Sequence, residues 1–455
     1  MLLDAVVERF IARTPMAVAV RGAFEYALSP AALDALFETV VGPRDDRRLL
    51  FSTCVDLMAT VVCRVNPSIH AAYQADDHLP VQVTALYARL ARVPATAGRE
   101  LVRHTADRLA PVIRAMGGAA PDPLPGYRVK GLDGNHLGKT QRRIKPLREV
   151  AAGPLPGQTL VILDPALGLA IDVFPCEDGH AQERSLLAPV LETVADRDVW
   201  VADRNFCTTG FVFGVAGRKG FFVIRRHAAT LSWERESDWI AAGRAVTGTL
   251  SEQTIWLTEP GGAELAVRRV RLTLDHPTRD GDGVIEVLTN LPAAVTAAGV
   301  AELYRGRWSV EGLFLRLTTV LRCEVNTLGY PPAALFGFCV ALASGNVYAG
   351  VKAAVRAGHG AEAADGVSDY HLALEVSGVC PGLWVAVPEE TWVVIGGWSV
   401  GQMADWLVGL ARHANLRRYR KATRGPKKPR PPRTRFAKAK HIATARLLNG
   451  EQAGP

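Results

Sequence analysis

The 455-residue chain has seven Cys, at 54, 63, 176, 207, 323, 339 and 380, and no C-x-x-C pair among them. An odd, scattered set argues against a disulfide framework or a cysteine zinc site and predicts reduced, mostly buried thiols. The start, MLLDAVVERFIARTP, lacks a basic n-region and carries Asp4 and Glu8, so no secretory signal is expected there. The most apolar run, Ala334–Val351, is broken by Ser344, Asn346 and several Gly, which predicts a buried helix, not a membrane span. No complete G-x-x-x-x-G-K-[ST] loop occurs, so an ATP-driven reaction has no support. Acidic residues are missing altogether between Asp405 and Glu451, a stretch that holds 14 Lys or Arg. The net charge of +8 is therefore uneven: residues 1–405 sum to −5 and residues 406–455 to +13. A positive tail on a slightly acidic body suggests a polyanionic partner, nucleic acid first.

The chain is 48% hydrophobic and 22% charged, a globular balance, and its length allows two or three domains. Residues 1–120 read as helical. SPAALDALFETV follows a Ser N-cap at Ser29, LLFSTCVDLMATVVCRV is apolar nearly all round, and HTADRLAPVIRAM ends at Gly117-Gly118. PDPLPG (121–126) is a linker. YRVKGLD, TLVILD, GLAIDVF, DVWVAD and GFFVIRRH then read as strands, with ERSLLAPVLETVA (183–195) helical between the third and fourth, a mixed α/β pattern. Residues 228–292 are β-rich between Gly, Pro and Asp turns, and the helical period returns from Ala293. RRYRKATRGPKKPRPPRTRFAKAK is too charged and Pro-rich to pack, so disorder without a partner is expected.

Two strands end in carboxylates: Asp133 in GLDGNHL and Asp203 in VWVADRNF. Adjacent strands ending this way would put both at one edge of a sheet, where a helix could add a third. Clustered carboxylates repel unless a cation lies between them, and hard oxygen donors suit Mg²⁺ or Mn²⁺. Taken singly, such an Asp is more often a turn former. The helix around Glu311 is more specific. With about 100° per residue and Tyr304 at zero, Arg307 falls near 300°, Glu311 near 340° and Thr318 near 320°. A Tyr, an Arg and a Glu on one stripe between Leu303, Val310 and Leu313 are costly to bury unless they pair or face a ligand. The plainer alternative is an i,i+4 Arg–Glu bridge on a surface helix.

Tyr304-x2-Arg307-x3-Glu311 resembles the Y-x2-R-x3-E-x6-K signature of DDE transposases of bacterial insertion sequences, the insertion-sequence-four type. LDGNHL resembles that family's first-Asp motif and ADRNF its second. The order matches, and the 108-residue gap from Asp203 to Glu311 is where the family carries a β-rich insertion. The resemblance covers about 127–350. Thr318 stands where the family has Lys.

The resemblance implies an α/β fold with an RNase H-like (retroviral-integrase-like) catalytic core over 127–227 and 293–356. The implied surroundings are a helical N-terminal DNA-binding domain over 1–120, a β insertion over 228–292, a C-terminal region over 357–413 and a basic tail over 414–455. Asp133, Asp203 and Glu311 would bind Mg²⁺ or Mn²⁺ and carry catalysis; Tyr304, Arg307 and Thr318 would face DNA phosphate. Lys139, Arg142, Arg143, Lys145 and Arg148 follow Asp133 and could track a phosphate backbone, or form a solvated loop. Trp233, Trp239 and Trp256 lie in the insertion, where one could stack on a flipped base, though packing is the commoner role. His136, three residues after Asp133, could support the site. The implied activity is cleavage at the inverted repeats of an insertion sequence and joining to target DNA, by a homodimer assembled on double-stranded DNA in the cytoplasm, at the nucleoid. Two alternatives stay open: an inactive transposase-derived DNA-binding protein, and a general RNase H-like nuclease.

Overall fold

A computed structural model describes residues 5–42, 49–77, 79–150, 152–227, 230–278, 281–422 and 441–450, without the side chain of Trp308. The strands are β1 (Arg128–His136), β2 (Gly153–Leu155), β3 (Gln158–Asp164), β4 (Leu169–Cys176), β5 (Asp198–Ala202), β6 (Phe221–Arg225), β7 (Arg235–Glu236), β8 (Ile240–Ala245), β9 (Gly248–Thr258), β10 (Glu264–Leu274), β11 (Val284–Thr289) and β12 (His441–Ala443). Ten of them form one mixed sheet in the order β4-β3-β1-β5-β6-β11-β10-β9-β7, with β8 on β9. β1, β3 and β4 pair antiparallel, whereas β5 runs parallel to β1 and β6 parallel to β5.

The β-rich stretch is no separate layer. β11 pairs antiparallel with β6, Leu288 opposite Ile224, so its strands continue the sheet that starts with β1. Because strand side chains alternate, β5 serves two cores at once. Val199 and Val201 face Val300 and Leu303 of the Ala297–Gly306 helix, while Trp200 and Ala202 face Phe211 and Val215 of the Thr209–Gly217 helix.

The largest apolar core joins regions far apart in the chain. Val161, Leu163 and Val173 from β3 and β4 pack with Leu101 and Leu109 of the Ala95–Ala115 helix and with the Pro331–His359 helix. The latter helix contains the run singled out in the sequence, and 89% of its most apolar window is buried. All seven Cys are free, and six are buried.

Several local expectations shift. Ser29 precedes the Pro30–Val41 helix but its hydroxyl caps nothing; Pro30 at the first position makes the start instead. The Ala95–Ala115 helix runs through Pro111, where a helix would ordinarily kink. The segment 417–422, expected to stay unpacked, is partly folded: Leu416–Tyr419 forms a 3₁₀ turn and buried Tyr419 donates to Glu375 Oε1 at 2.6 Å. An amphipathic Tyr with an acceptor in reach overrides its charged neighbours. The RGPKKPRPPR stretch lies outside the described residues. Beyond it, β12 pairs parallel with β2.

Candidate active site

β1 is longer than its hydrophobic pattern suggests. Its antiparallel pairing with β3 continues to His136, but its parallel pairing with β5 stops at Leu132 opposite Ala202. Asp133 and Asp203 are the next residues on each strand. They therefore lie side by side where the parallel β1–β5 ladder stops, Asp133 still within β1 and Asp203 just past β5. Asp203 sits half-buried before the Arg204–Phe206 3₁₀ turn, with no hydrogen bond or ion pair to its carboxylate among the described residues.

Glu311 comes from the Trp308–Thr319 helix. The sequence predicts one continuous helix through Tyr304 and Thr318; the chain instead forms two, Ala297–Gly306 and Trp308–Thr319, meeting at Arg307. The second helix lies tight against β1. A side-chain carbon on Gly131 would come within 2.5 Å of Val310 Cγ2, so glycine there sets how closely Glu311 approaches Asp133.

Arg307 occupies the centre. Its side chain is 9% exposed; one amino group donates to Glu311 Oε1 at 2.6 Å and the other lies 3.5 Å from Asp133 Oδ2. Its Nε is buried without a partner, and its guanidinium lies 5.9 Å from the Tyr304 ring centre. A buried orphan donor costs free energy, so this arrangement is poised for a further acceptor. Burial, only partly offset by Arg307 and by the Gly134 amide, pushes the Asp133 carboxyl up to about 6, with Asp203 and Glu311 adding repulsion. Burial also raises the Tyr304 phenol, which stays a neutral donor.

Among the described residues no three His, Cys, Asp or Glu converge as a ready-made metal cluster; Arg307 pairs with both Asp133 and Glu311. Carboxylate oxygens of this kind are the donors a hard divalent ion takes, and Asp133 is destabilised as an ion by its burial and its acidic neighbours. Thr318 is exposed near the far end of the helix, and its hydroxyl bonds back to the Phe314 and Leu315 carbonyls at 2.9 and 3.1 Å.

Glu183 is a residue that strand and helix patterns did not single out. Its carboxylate fills the space left by the missing side chain of Gly134, accepts from the Asn205 amide, and lies 3.8 Å from His136 Nε2. It thus ties the end of β1 after Asp133 to the 3₁₀ turn after Asp203. The Asn and His inside GNH and RNF were the available signals. Arg225, at the end of β6, pairs with Asp282 at 2.7 Å and adds positive charge beside Asp203 and Tyr304. Lys139, Arg142, Arg143, Lys145 and Arg148 are all exposed. The three insertion Trp are engaged by the protein's own cations: Arg226 lies over Trp233 at 4.9 Å, Arg271 over Trp239 at 3.8 Å and Arg235 over Trp256 at 4.2 Å.

Residues 159–331 match the family model described as Transposase DDE domain, which takes in Asp203 and Glu311 but begins after Asp133. A curated relative, "Putative transposase y4zB" of Sinorhizobium fredii (strain NBRC 101917 / NGR234), is 32% identical over 117 residues, 25% of this chain and 32% of that protein's length. A solved structure, a piggyBac transposase synaptic complex with hairpin DNA, aligns over 82% of this chain and 75% of that one at 13% identity, with a TM-score of 0.38. Over residues 159–331 the chain is thus similar to the transposase DDE domain, and it spans about a third of the length of the curated relative it matches.

Proposed function

We propose that the protein is a transposase of the insertion-sequence-four type that cuts DNA at the terminal inverted repeats of its element and joins the ends to target DNA. The observation that carries this reading is that Arg307 pairs with both Asp133 and Glu311, while Asp203 follows the strand that runs parallel beside Asp133's own. The strand order supports an RNase H-like core, since an antiparallel β1-β3-β4 meander flanked by parallel β5 and β6 is that fold's arrangement.

Asp133, Asp203 and Glu311 would hold Mg²⁺ or Mn²⁺, which when bound would activate the attacking oxygen and neutralise charge on the phosphodiester. The chain's own residues do the rest. A DNA phosphate offers Arg307 the acceptor that its orphan Nε lacks and can draw the guanidinium away from Glu311 and Asp133, freeing both carboxylates. Tyr304, a neutral donor, can hydrogen-bond the same phosphate. Attack by water and then by the freed 3′-OH requires no covalent enzyme intermediate, so Tyr304 need not be a nucleophile. Lys139, Arg142, Arg143 and Lys145 would follow the backbone leading to the site. Thr318 can serve a phosphate only by giving up a bond to its own helix. Helices within 1–120 would bind terminal DNA, and two copies would assemble on paired ends in the cytoplasm.

Thr318 in place of Lys, together with the Arg307–Glu311 pairing, favours a second reading: a DNA-binding protein that no longer cuts. Nicking of duplexes carrying the element's inverted repeats, with Mg²⁺, separates the readings. Cleavage that vanishes in Asp203→Ala supports the transposase. Tight binding without cleavage supports the idle binder, and cleavage without end preference supports a general nuclease.

A further inference from the structure

The basic segment after Asp133 is held in place by the far end of the chain. Lys139, Arg143, Lys145 and Arg148 are exposed and paired with no acid among the described residues. The segment's backbone is nonetheless fixed at several points. Thr140 N donates to Pro154 O at 3.1 Å, Gln141 N to Asn326 O at 2.6 Å, and Arg148 folds back onto the Arg143 carbonyl at 2.7 Å. Pro154 belongs to β2, a three-residue strand whose sheet partner is β12: His441 lies opposite Gly153, Ile442 opposite Pro154 and Ala443 opposite Leu155. The Lys139 stem crosses Gly153, where a side-chain carbon would come within 2.6 Å of Lys139 Cδ.

Ile442, Ala443 and Thr444 are buried, and the Thr444–Leu448 helix packs on the Lys145–Arg148 turn. The circuit closes on the other side of β2. Arg446 Nε and one amino group bond Asp178 Oδ2 at 2.9 and 2.7 Å, and Gly179, next to Asp178, packs on Leu155. A two-stranded ribbon alone is marginal in water, so a strand of three residues needs such bracing.

We propose that His441–Leu448 is a buttress that holds the Lys139–Arg148 segment as a preorganised phosphate-binding surface for duplex DNA. This rests on the DNA-binding reading above. Preorganisation raises affinity by sparing the cost of ordering long cationic side chains on binding. It also makes an unusual prediction of sign, because the latch contains an acid: deleting that negative charge should weaken binding to a polyanion.

The test compares wild type, Asp178→Ala, a chain ending at Lys440 and the charge swap Asp178→Arg/Arg446→Asp. Ending at Lys440 removes one Arg and one Glu, so the formal charge stays at +8. Amide hydrogen exchange over 139–155 in DNA-free protein reports the buttress; affinity for a terminal-repeat duplex at fixed salt reports the surface. Asp178→Ala and the truncation should speed exchange there and weaken binding by about five- to tenfold, the cost of ordering a few side chains; the swap should restore both. Unchanged exchange overturns the buttress. Faster exchange with equal or tighter DNA binding, as simple charge counting predicts for Asp178→Ala, overturns its role in recognition. A wild type that binds no duplex DNA sinks the functional reading and the recognition role together, while exchange still decides the buttress.

Discussion

Arg307 is the residue whose removal should have opposite effects on two measurements. In the free protein it occupies, with positive charge, the space between Asp133 and Glu311. Arg307→Met should tighten Mn²⁺ binding by about tenfold, since a competing cation a few ångströms away is lost, yet abolish cleavage, since the phosphate contact is lost too. Titration calorimetry and the nicking assay check the two halves. Asp133 sets a pH dependence. Its folded-state carboxyl is raised to about 6, so the protonated form is favoured by folding. Its stabilising contribution is full below the ordinary carboxylate range and is lost as pH rises through about 6. In metal-free buffer, stability should fall by ~2–3 kcal/mol between pH 4 and 7, because a tenfold change in proton affinity is worth about 1.4 kcal/mol. Asp133→Asn should flatten that slope in urea titrations. At this scale the residues proposed for the site, Asp133, Asp203, Tyr304, Arg307 and Glu311, were legible in the sequence through their motifs. Glu183 was not, because its place depends on the bare face of Gly134, a contact between strangers in sequence.

Elements were read well where one period dominates and poorly where pairing decides. β5 shows itself as an apolar run, but the end of β1 is set by its two neighbours, one stopping at Leu132 and the other continuing to His136. Nor does periodicity reveal that β11 joins β6, so that the β-rich stretch continues the sheet that starts with β1. The Trp308–Thr319 helix supplies the clearest prediction. Gly131→Ala should push Val310, and Glu311 with it, away from β1. The expected cost is about 1–3 kcal/mol of stability from overpacking, with cleavage reduced more than DNA binding. Val310→Ala in the same chain should recover part of both. A Gly131→Ala protein with wild-type melting and cleavage would mean that the helix does not rest on that glycine.

Across the whole molecule, one core unites segments that the sequence presents as separate. Arg99 forms a two-pronged pair with Asp172 of β4 at 2.8 Å and lies over Phe174 at 4.2 Å, which binds the N-terminal helices to the mixed sheet. A fragment starting at residue 121 should therefore be insoluble or bind the dye ANS, since it would uncover the Val161–Val173 face; a fragment that unfolds cooperatively would refute this. The charged stretch 423–440 carries eight Lys or Arg and no acid. Its deletion should lower the salt slope of DNA binding, which scales with the phosphates neutralised; an unchanged slope would remove it from the interface. These parts serve the reaction only if three carboxylates from distant points of the chain share a divalent ion, and metal-specificity rescue tests that most directly. Asp203→Cys should be inert with Mg²⁺ and recover cleavage with the softer Mn²⁺ or Cd²⁺, because thiolate prefers soft ions. A folded, DNA-binding Asp203→Cys protein that stays dead in every metal, or cuts as well as wild type with Mg²⁺, would contradict the account.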